Sequence, residues 1–416
     1  MAAMADVTIV GGGIIGLCSA VALQDRGYSV EIIERGEIGQ GASYGNCGLL
    51  APGEVVPVSR PGVIKKIPRW LLDPEGPLFV RPGALARDLT WLLRFLKAGR
   101  ADTVRHIASS LTPMMKRVNA DYGALLERIG RPDLLSQVEN LMLFNDRSEY
   151  ERDRFVWDLR SELGFGHTFI SGPEVRQLEP AIEGPVTCGV IMKDWYHFTD
   201  PLALTQALAE EVAQRGGKFV ADEALSFESE RGQVRSVKLR SGDRIDTKQI
   251  VLAAGAWSGS LSRQLGLRIP LAHLSGYHVH APHPQVHLER AIYYASGGFV
   301  LTPMATGLRI GGTIEIAGAD PEPNFRRADV LAERAKTILP ALDITGSTRW
   351  MGARPFITDT MPIIGKAPSF GNVTLAFGHG QVGMTLGATT GHVVAQIIAN
   401  ERPVVDLYPF RPQRFA

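Results

Sequence analysis

Cysteine is scarce: three in 416 residues, Cys18, Cys47 and Cys188. They form no CxxC pair and no disulfide framework, so a reducing compartment is the expectation. An excess of charge of one sign is equally absent. Lys and Arg total 44 against 43 Asp and Glu, a net charge of +1, which points to neither nucleic acid nor an anionic surface as a partner. No uninterrupted apolar run approaches the roughly 18 residues of a membrane span. The opening MAAMADVTIV lacks the long apolar core of a signal peptide. The expected location is cytoplasmic, with docking on the inner face of the cytoplasmic membrane as the alternative. Glycine is what the chain has in quantity, 45 residues, which suits a fold whose backbone approaches a ligand closely at many points. The length allows two domains with proper cores.

The stretch DVTIVGGGIIGLCSAVALQDRGYSVEIIE, from Asp6 to Glu34, organises the rest. A short apolar strand, residues 7–10, turns through Gly11, Gly12 and Gly13 into a helix at Ile14, Ile15 and Gly16. In this dinucleotide fingerprint Gly11 permits the tight turn, Gly13 lets backbone approach a pyrophosphate, and Gly16 lets helix and strand pack closely. The helix N-terminus offers free N–H groups and a partial positive charge to phosphates. A second strand, residues 29–33, ends in Glu34, near the roughly 20-residue offset of a ribose-hydroxyl acceptor.

Beyond Glu34, small residues crowd a loop that leads to Gly45-Asn46-Cys47-Gly48-Leu49-Leu50. It reads equally as a surface loop or as a loop lying against a flat ring. Prolines 57, 61, 68, 74, 77 and 82 leave little regular structure before Gly83. Leu85, Leu89, Leu92, Leu93 and Leu96 then mark an amphipathic helix. With Lys65, Lys66, Arg69, Trp70 and Trp91 nearby, residues 57–97 are either a domain-packing helix with a solvated basic face, the favoured reading, or a surface for a membrane or partner subunit.

Helical spacing covers 104–129 and 148–163, and Ser171 and Asp200-Pro201 open further helices. The apolar run at 249–252 enters Ala253-Ala254-Gly255-Ala256-Trp257, where bulk is excluded beside a backbone turn. His278, His280, His283 and His287 read as a wet strand and its loop, since no carboxylate or thiolate completes a metal set; no metal is expected. Near the end, Gly352-Ala353-Arg354-Pro355 precedes a buried strand and Gly378-His379-Gly380. Gly383, Gly387 and Gly391 then give the last helix a smooth packing face, with its positive end over the glycine turn.

These motifs, spread over essentially the whole chain, resemble the flavoprotein family of D-amino-acid oxidase, glycine oxidase and sarcosine oxidase. The likeness is strongest to bacterial D-amino-acid dehydrogenases and to the small amine-oxidising subunits of opine and hydroxyproline dehydrogenases. The resemblance implies an α/β fold: a discontinuous Rossmann-like FAD-binding domain (1–60, 198–270 and 346–416) and an α+β substrate domain with a mainly antiparallel sheet (61–197 and 271–345). It implies non-covalent FAD, because the segment near Arg354 has no cysteine.

By the same resemblance, Glu34 holds the adenosine ribose and Ala224 lies beside the adenine. Gly45, Asn46, Gly48 and Leu49 line the isoalloxazine, and His379, Gly380, Gln381, Val382, Gly383 and Met384 reach its pyrimidine end. Arg35, Ser43, Ala254, Gly255, Trp257, Gly352 and Gly378 are further expected cofactor contacts. Arg354 grips the substrate carboxylate as a bidentate clamp; its alternative is a structural ion pair with Asp359. Phe299 stands near the place of the family's carboxylate-binding tyrosine, leaving Tyr277, Tyr293 or Tyr294 to substitute. Tyr277 joins Arg354 and His379 in the expected catalytic set.

The implied reaction is oxidative deamination of an amino acid, foremost a D-amino acid, by hydride transfer from Cα to flavin N5. It gives a 2-oxo acid and ammonia, with no obligatory side-chain base. A quinone, another carrier or oxygen then takes the electrons. The alternatives are a dehydrogenase for a secondary or cyclic amino acid and an FAD-binding subunit of a larger oxidoreductase.

Overall fold

The opening strand, Val7–Val10, pairs in parallel with Val30–Glu34 on one side and with Gln249–Leu252 on the other. The computed structural model describes residues 4–62, 76, 78–81, 84–318 and 321–415, apart from the side chains of 84–87; Lys65, Lys66, Arg69 and Trp70 lie outside them. Lys218–Ala221 extends the parallel set at one edge. Phe370–Phe377 extends it at the other and is closed by antiparallel Ile363–Ala367. Val7, Ile9, Ile32, Ile250, Val251 and Leu252 are fully buried, the near-continuous apolar run that a parallel sheet covered on both faces requires.

One face carries the helices Ile14–Gln24 and Gly383–Ile398. They meet where a side chain would not fit: a Cβ on Gly391 would stand 2.5 Å from the Cys18 backbone, and one on Gly387 would stand 2.9 Å from Ile14. The smooth face expected of the last helix is therefore used against the first. The other face packs on the strands Ala224–Glu230 and Gln233–Leu239, through Val234, Val237 and Leu239.

A second, nine-stranded and mainly antiparallel sheet stands over the first. Its three strands nearest one edge are Thr348–Ile357, Leu271–Ala281 and Gly307–Ile316, followed by Phe299–Met304 and Ile292–Tyr294. The helix Arg326–Ala335 and the apolar side chains beneath it cover one of its faces. Thr348–Ile357, just past the break expected at 346, pairs along its length with Leu271–Ala281. The helices Ala101–Met115 and Val118–Arg128 share the core of the parallel sheet and its helices, and the Tyr122 hydroxyl donates to the Met384 carbonyl. They also interrupt the single helix expected over 104–129, at Lys116 and Arg117.

In the proline-rich region a short strand, Leu78–Val80, pairs with Ile314–Ile316, structure the prolines did not announce. The helix Ala84–Ala98 anchors through Trp91, which stacks on Phe95 at 5.1 Å and donates to the Pro270 carbonyl. Leu89 and Leu93 stay exposed. Among the described residues, no helix is long and apolar enough to cross a membrane.

Candidate functional site

Gly11 has φ +114°, and a Cβ there would stand 2.4 Å from the Ala253 carbonyl oxygen. Only glycine lets the two strand ends close into this turn. Glu34 fixes the turn from below: one carboxylate oxygen accepts from the Gly12 N–H at 2.7 Å and the other from the Gly36 N–H at 3.0 Å. Ser43 Oγ accepts from the Ile14 N–H at 2.9 Å at the start of the helix.

These groups border a cavity of about 390 Å³. Glu34, Arg35, Ala224, Ala254, Gly255 and Trp257 line one part of it, and Ala353, Pro355, Gly378, Gly380, Gly383 and Met384 another. Arg35 stacks its guanidinium on Trp257 at 3.5 Å. The buried Trp257 Nε1–H has no partner among the described residues. A long cavity between two glycine turns, with a carboxylate, an aromatic wall and an unused donor, fits a dinucleotide.

The loop after Ser43 is held from both sides. Gly48 (φ +72°) donates its N–H to Asn46 Oδ1 at 2.6 Å and accepts from the Phe198 N–H at 2.7 Å. The Leu49 carbonyl accepts from Thr385 Oγ1 on the last helix at 3.1 Å. The closing turn is tied to the strand that carries Arg354, through the Gly380 N–H and the Pro355 carbonyl at 3.0 Å.

Arg354, Gly352 and Trp350 alternate onto one face of the upper sheet, and the register puts Gly276, His278 and Gly311 on that face too. The guanidinium lies over Gly276, where a Cβ would be 2.7 Å from it, and donates to the Thr313 carbonyl at 3.3 Å. No carboxylate among the described residues pairs with it. Asp359, its alternative partner, is taken by Arg414 at 2.8 and 3.2 Å. Burial pushes the Arg354 guanidinium below its ordinary pKa, while the nearby Cys47 and Tyr293 act the other way. A desolvated cation without a counter-ion is a receptor for an anion.

Residues 6–397 match the family described as FAD dependent oxidoreductase (DAO). The chain is 34% identical to a D-amino-acid oxidase of Bradyrhizobium diazoefficiens, over 98% of each chain. The chain belongs to this DAO family. A D-amino acid dehydrogenase of the same organism is 27% identical over 99% of each chain. The crystal structure of glycine oxidase from Geobacillus kaustophilus superposes with a TM-score of 0.77 at 22% identity, covering 99% of each chain. The cofactor of this DAO-family enzyme is FAD.

One member of the expected catalytic set, Tyr277, points elsewhere. Tyr277 is on the face of its strand opposite Arg354 and is 1% exposed. Its hydroxyl is bound to Glu315 and accepts from the Asn324 N–H. Phe299 and Tyr294 share that buried face, with the Tyr294 hydroxyl on Asn145 at 2.6 Å. Tyr293 is the tyrosine on Arg354's face: it pairs with Val300, which pairs with Gly311. It is 39% exposed, and desolvation raises its phenol.

The His379 ring is 2% exposed and lies against Thr390 Oγ1 at 3.1 Å. His379 lines the cavity together with Gly378 and Gly380, while its imidazole also contacts the last helix at Thr390.

Sequence reasoning passed over Trp350, His278 and Arg309 as site residues. The strand read as wet is dry at His278, which is 1% exposed and stacks on Trp350 at 5.2 Å. The one available signal was the alternation of 350, 352 and 354 in a strand that ends in the arginine motif.

Burial pushes His278 and His379 down to about 3 and His197 to about 4. All three are neutral when folded, whereas an unfolded chain protonates them near 6.5. Below that pH the unfolded state binds more protons, so stability falls as the pH drops from about 6.5 toward 3. The three together give a slope approaching about 4 kcal/mol per pH unit near pH 5. Urea unfolding at pH 7 and pH 5 measures this; equal midpoints would contradict it.

Proposed function

We propose that the chain oxidises the Cα–N bond of a free amino acid, a D-amino acid foremost, to a 2-oxo acid and ammonia. The observation that carries this is the Arg354 guanidinium, with which no carboxylate among the described residues pairs, on the sheet face above the loop that contributes Ser43 and Asn46 to the cavity. Arg354 binds the α-carboxylate through two parallel N–H donors, which fixes both the position and the rotation of the substrate. Tyr293, whose phenol stays protonated, supplies a further donor on the same face. FAD, when bound, supplies an acceptor for the two electrons and the hydrogen of the Cα–H bond. His278 and His379 are buried and neutral, and no side-chain base is assigned; the amine reaches the site neutral, and the iminium formed by hydride loss gives up a proton to solvent. The imino acid then takes up water and releases ammonia.

The names of the relatives support the D-enantiomer, and the two names, oxidase and dehydrogenase, make both oxygen and a quinone acceptors to assay. The free cysteines support a cytoplasmic location. Peripheral contact through 57–97 is supported by Leu89 at 49% and Leu93 at 59% exposure; flotation with liposomes tests it. A panel of D- and L-amino acids, sarcosine and proline derivatives with a dye acceptor tests the activity. Turnover of D-amino acids with matching 2-oxo acid release is expected. Turnover confined to secondary amines would replace this reading.

A further inference from the structure

Four consecutive carbonyls, from Tyr44 to Cys47, are captured by side chains of the upper sheet. Arg309 Nη1 donates to Tyr44 O at 2.7 Å and to Asn46 O at 2.8 Å. His278 Nδ1 lies 3.2 Å from Gly45 O and, since a carbonyl only accepts, carries the proton. Thr302 Oγ1 donates to Cys47 O at 2.7 Å. The donors come from three strands, and the register places them on one face with Arg354.

The packing is built around this clasp. The Trp350 indole fills the space of absent side chains at Gly45 and Gly352, where a Cβ would stand 1.9 and 2.1 Å from it. Cys47 Sγ occupies the place of a side chain at Gly311, 2.2 Å from where a Cβ would be. Arg309 is 3% exposed and forms no ion pair among the described residues. A buried guanidinium without a carboxylate is costly, and a neutral donor would suffice for a mere tether.

In a trans peptide the carbonyl of one residue and the N–H of the next point in opposite directions. Drawing these carbonyls into the sheet turns the following N–H groups toward the cavity side, where Ser43 and Asn46 form part of the lining. Gly45 N–H is bound to Gly41 O and Gly48 N–H to Asn46 Oδ1. The N–H groups of Asn46 and Cys47 have no acceptor among the described residues.

We propose that Arg309 is a positioning residue for the flavin: by holding the Asn46 carbonyl it presents the Cys47 N–H to the cofactor, as His278 on the Gly45 carbonyl presents the Asn46 N–H, and so sets how tightly FAD is held. This rests on FAD being the occupant of the cavity. The sheet that anchors the substrate would then also fix the cofactor against which the substrate reacts.

The test uses the full chain, stripped of flavin and retitrated with FAD. The readouts are flavin fluorescence, the visible flavin bands and thermal unfolding of the flavin-free form. Arg309→Gln is expected to weaken FAD binding at least tenfold and to shift the visible bands. Arg309→Lys should recover part of the affinity, because a cation with several donors remains. Thr302→Val, which removes one hydroxyl at constant shape, should weaken binding about threefold while flavin-free unfolding stays unchanged. Arg309→Gln and Thr302→Val proteins that fold normally and hold FAD as tightly as the parent overturn the proposal. If Arg309→Gln does not fold, Arg309→Lys and Thr302→Val decide in the same way. A parent chain that takes up no FAD defeats the cofactor assignment instead, a different and separable failure.

Discussion

Replacing Arg354 by methionine is expected to lower kcat/KM for amino acids by about a thousandfold while FAD remains bound. Methionine keeps the length and apolar volume of the side chain but removes both donors and the charge. Losing one partner of a buried charged pair costs about 4 kcal/mol, which is about three decades in rate at 1.36 kcal/mol each. Arg354→Lys restores only part, because an ammonium cannot offer the planar fork. An amine without a carboxylate should lose little, so the ratio between the two substrate classes isolates the clamp from general damage. Steady-state assays with a dye acceptor check this. Unaltered KM and kcat for carboxylate substrates would remove Arg354 from its assigned role.

The Gly16→Ala substitution should be as severe by a different route. A Cβ at Gly16 would stand 1.9 Å from the Gly11 carbonyl oxygen, 3.1 Å from its carbon and 3.3 Å from Ile9 Cγ2. The two nearest of these are main-chain atoms of the turn itself and cannot rotate aside. Helix and strand must separate, with a stability loss of about 3 kcal/mol and a turn no longer shaped for a pyrophosphate. Gly13→Ala is the contrast: its Cβ would meet only Ser43 Oγ, at 3.2 Å, a side-chain atom that can give by a few tenths of an ångström while keeping its hydrogen bond from the Ile14 N–H. The Gly13→Ala protein should fold with near-parent stability yet bind FAD poorly. Urea midpoints and flavin content after purification separate the two. A yellow Gly16→Ala protein with the parent midpoint would show that the close approach is not required.

What could be read from the sequence was what is local. The glycine turn, its flanking strands and Glu34 are fixed within thirty residues, and each glycine carries a steric reason of its own. Arg354 drew attention because resemblance to a known family attaches a role to its four-residue motif, and the structure places its guanidinium on the upper-sheet face over Gly276. Tyr277 was misplaced because the face of a strand residue depends on pairing. Gly276 opposes Gly352 across a ladder whose other side shifts register between Ser275 and Tyr277, and nothing in the sequence of one strand reveals this. The glycines around His379 announced a turn, but the direction of its ring is decided by Thr390 on the following helix. The helices between Ala101 and Arg128 showed an apolar face without naming what it covers, which in the structure is the core shared with the parallel sheet and its helices. Arg309 gave no signal, since an arginine in a strand is ordinarily a solvated one; its meaning appears only when the loop from Tyr44 to Cys47 is seen beneath it.

Anaerobic titration of the flavin-loaded protein with D- and L-amino acids, followed by its visible spectrum, tests the central claim most directly. D-amino acids should bleach the flavin absorption at substoichiometric to stoichiometric addition, release the 2-oxo acid in equal amount, and lose this ability with Arg354→Met. A loaded protein whose flavin no amino acid of either hand reduces, though dithionite does, would contradict the account.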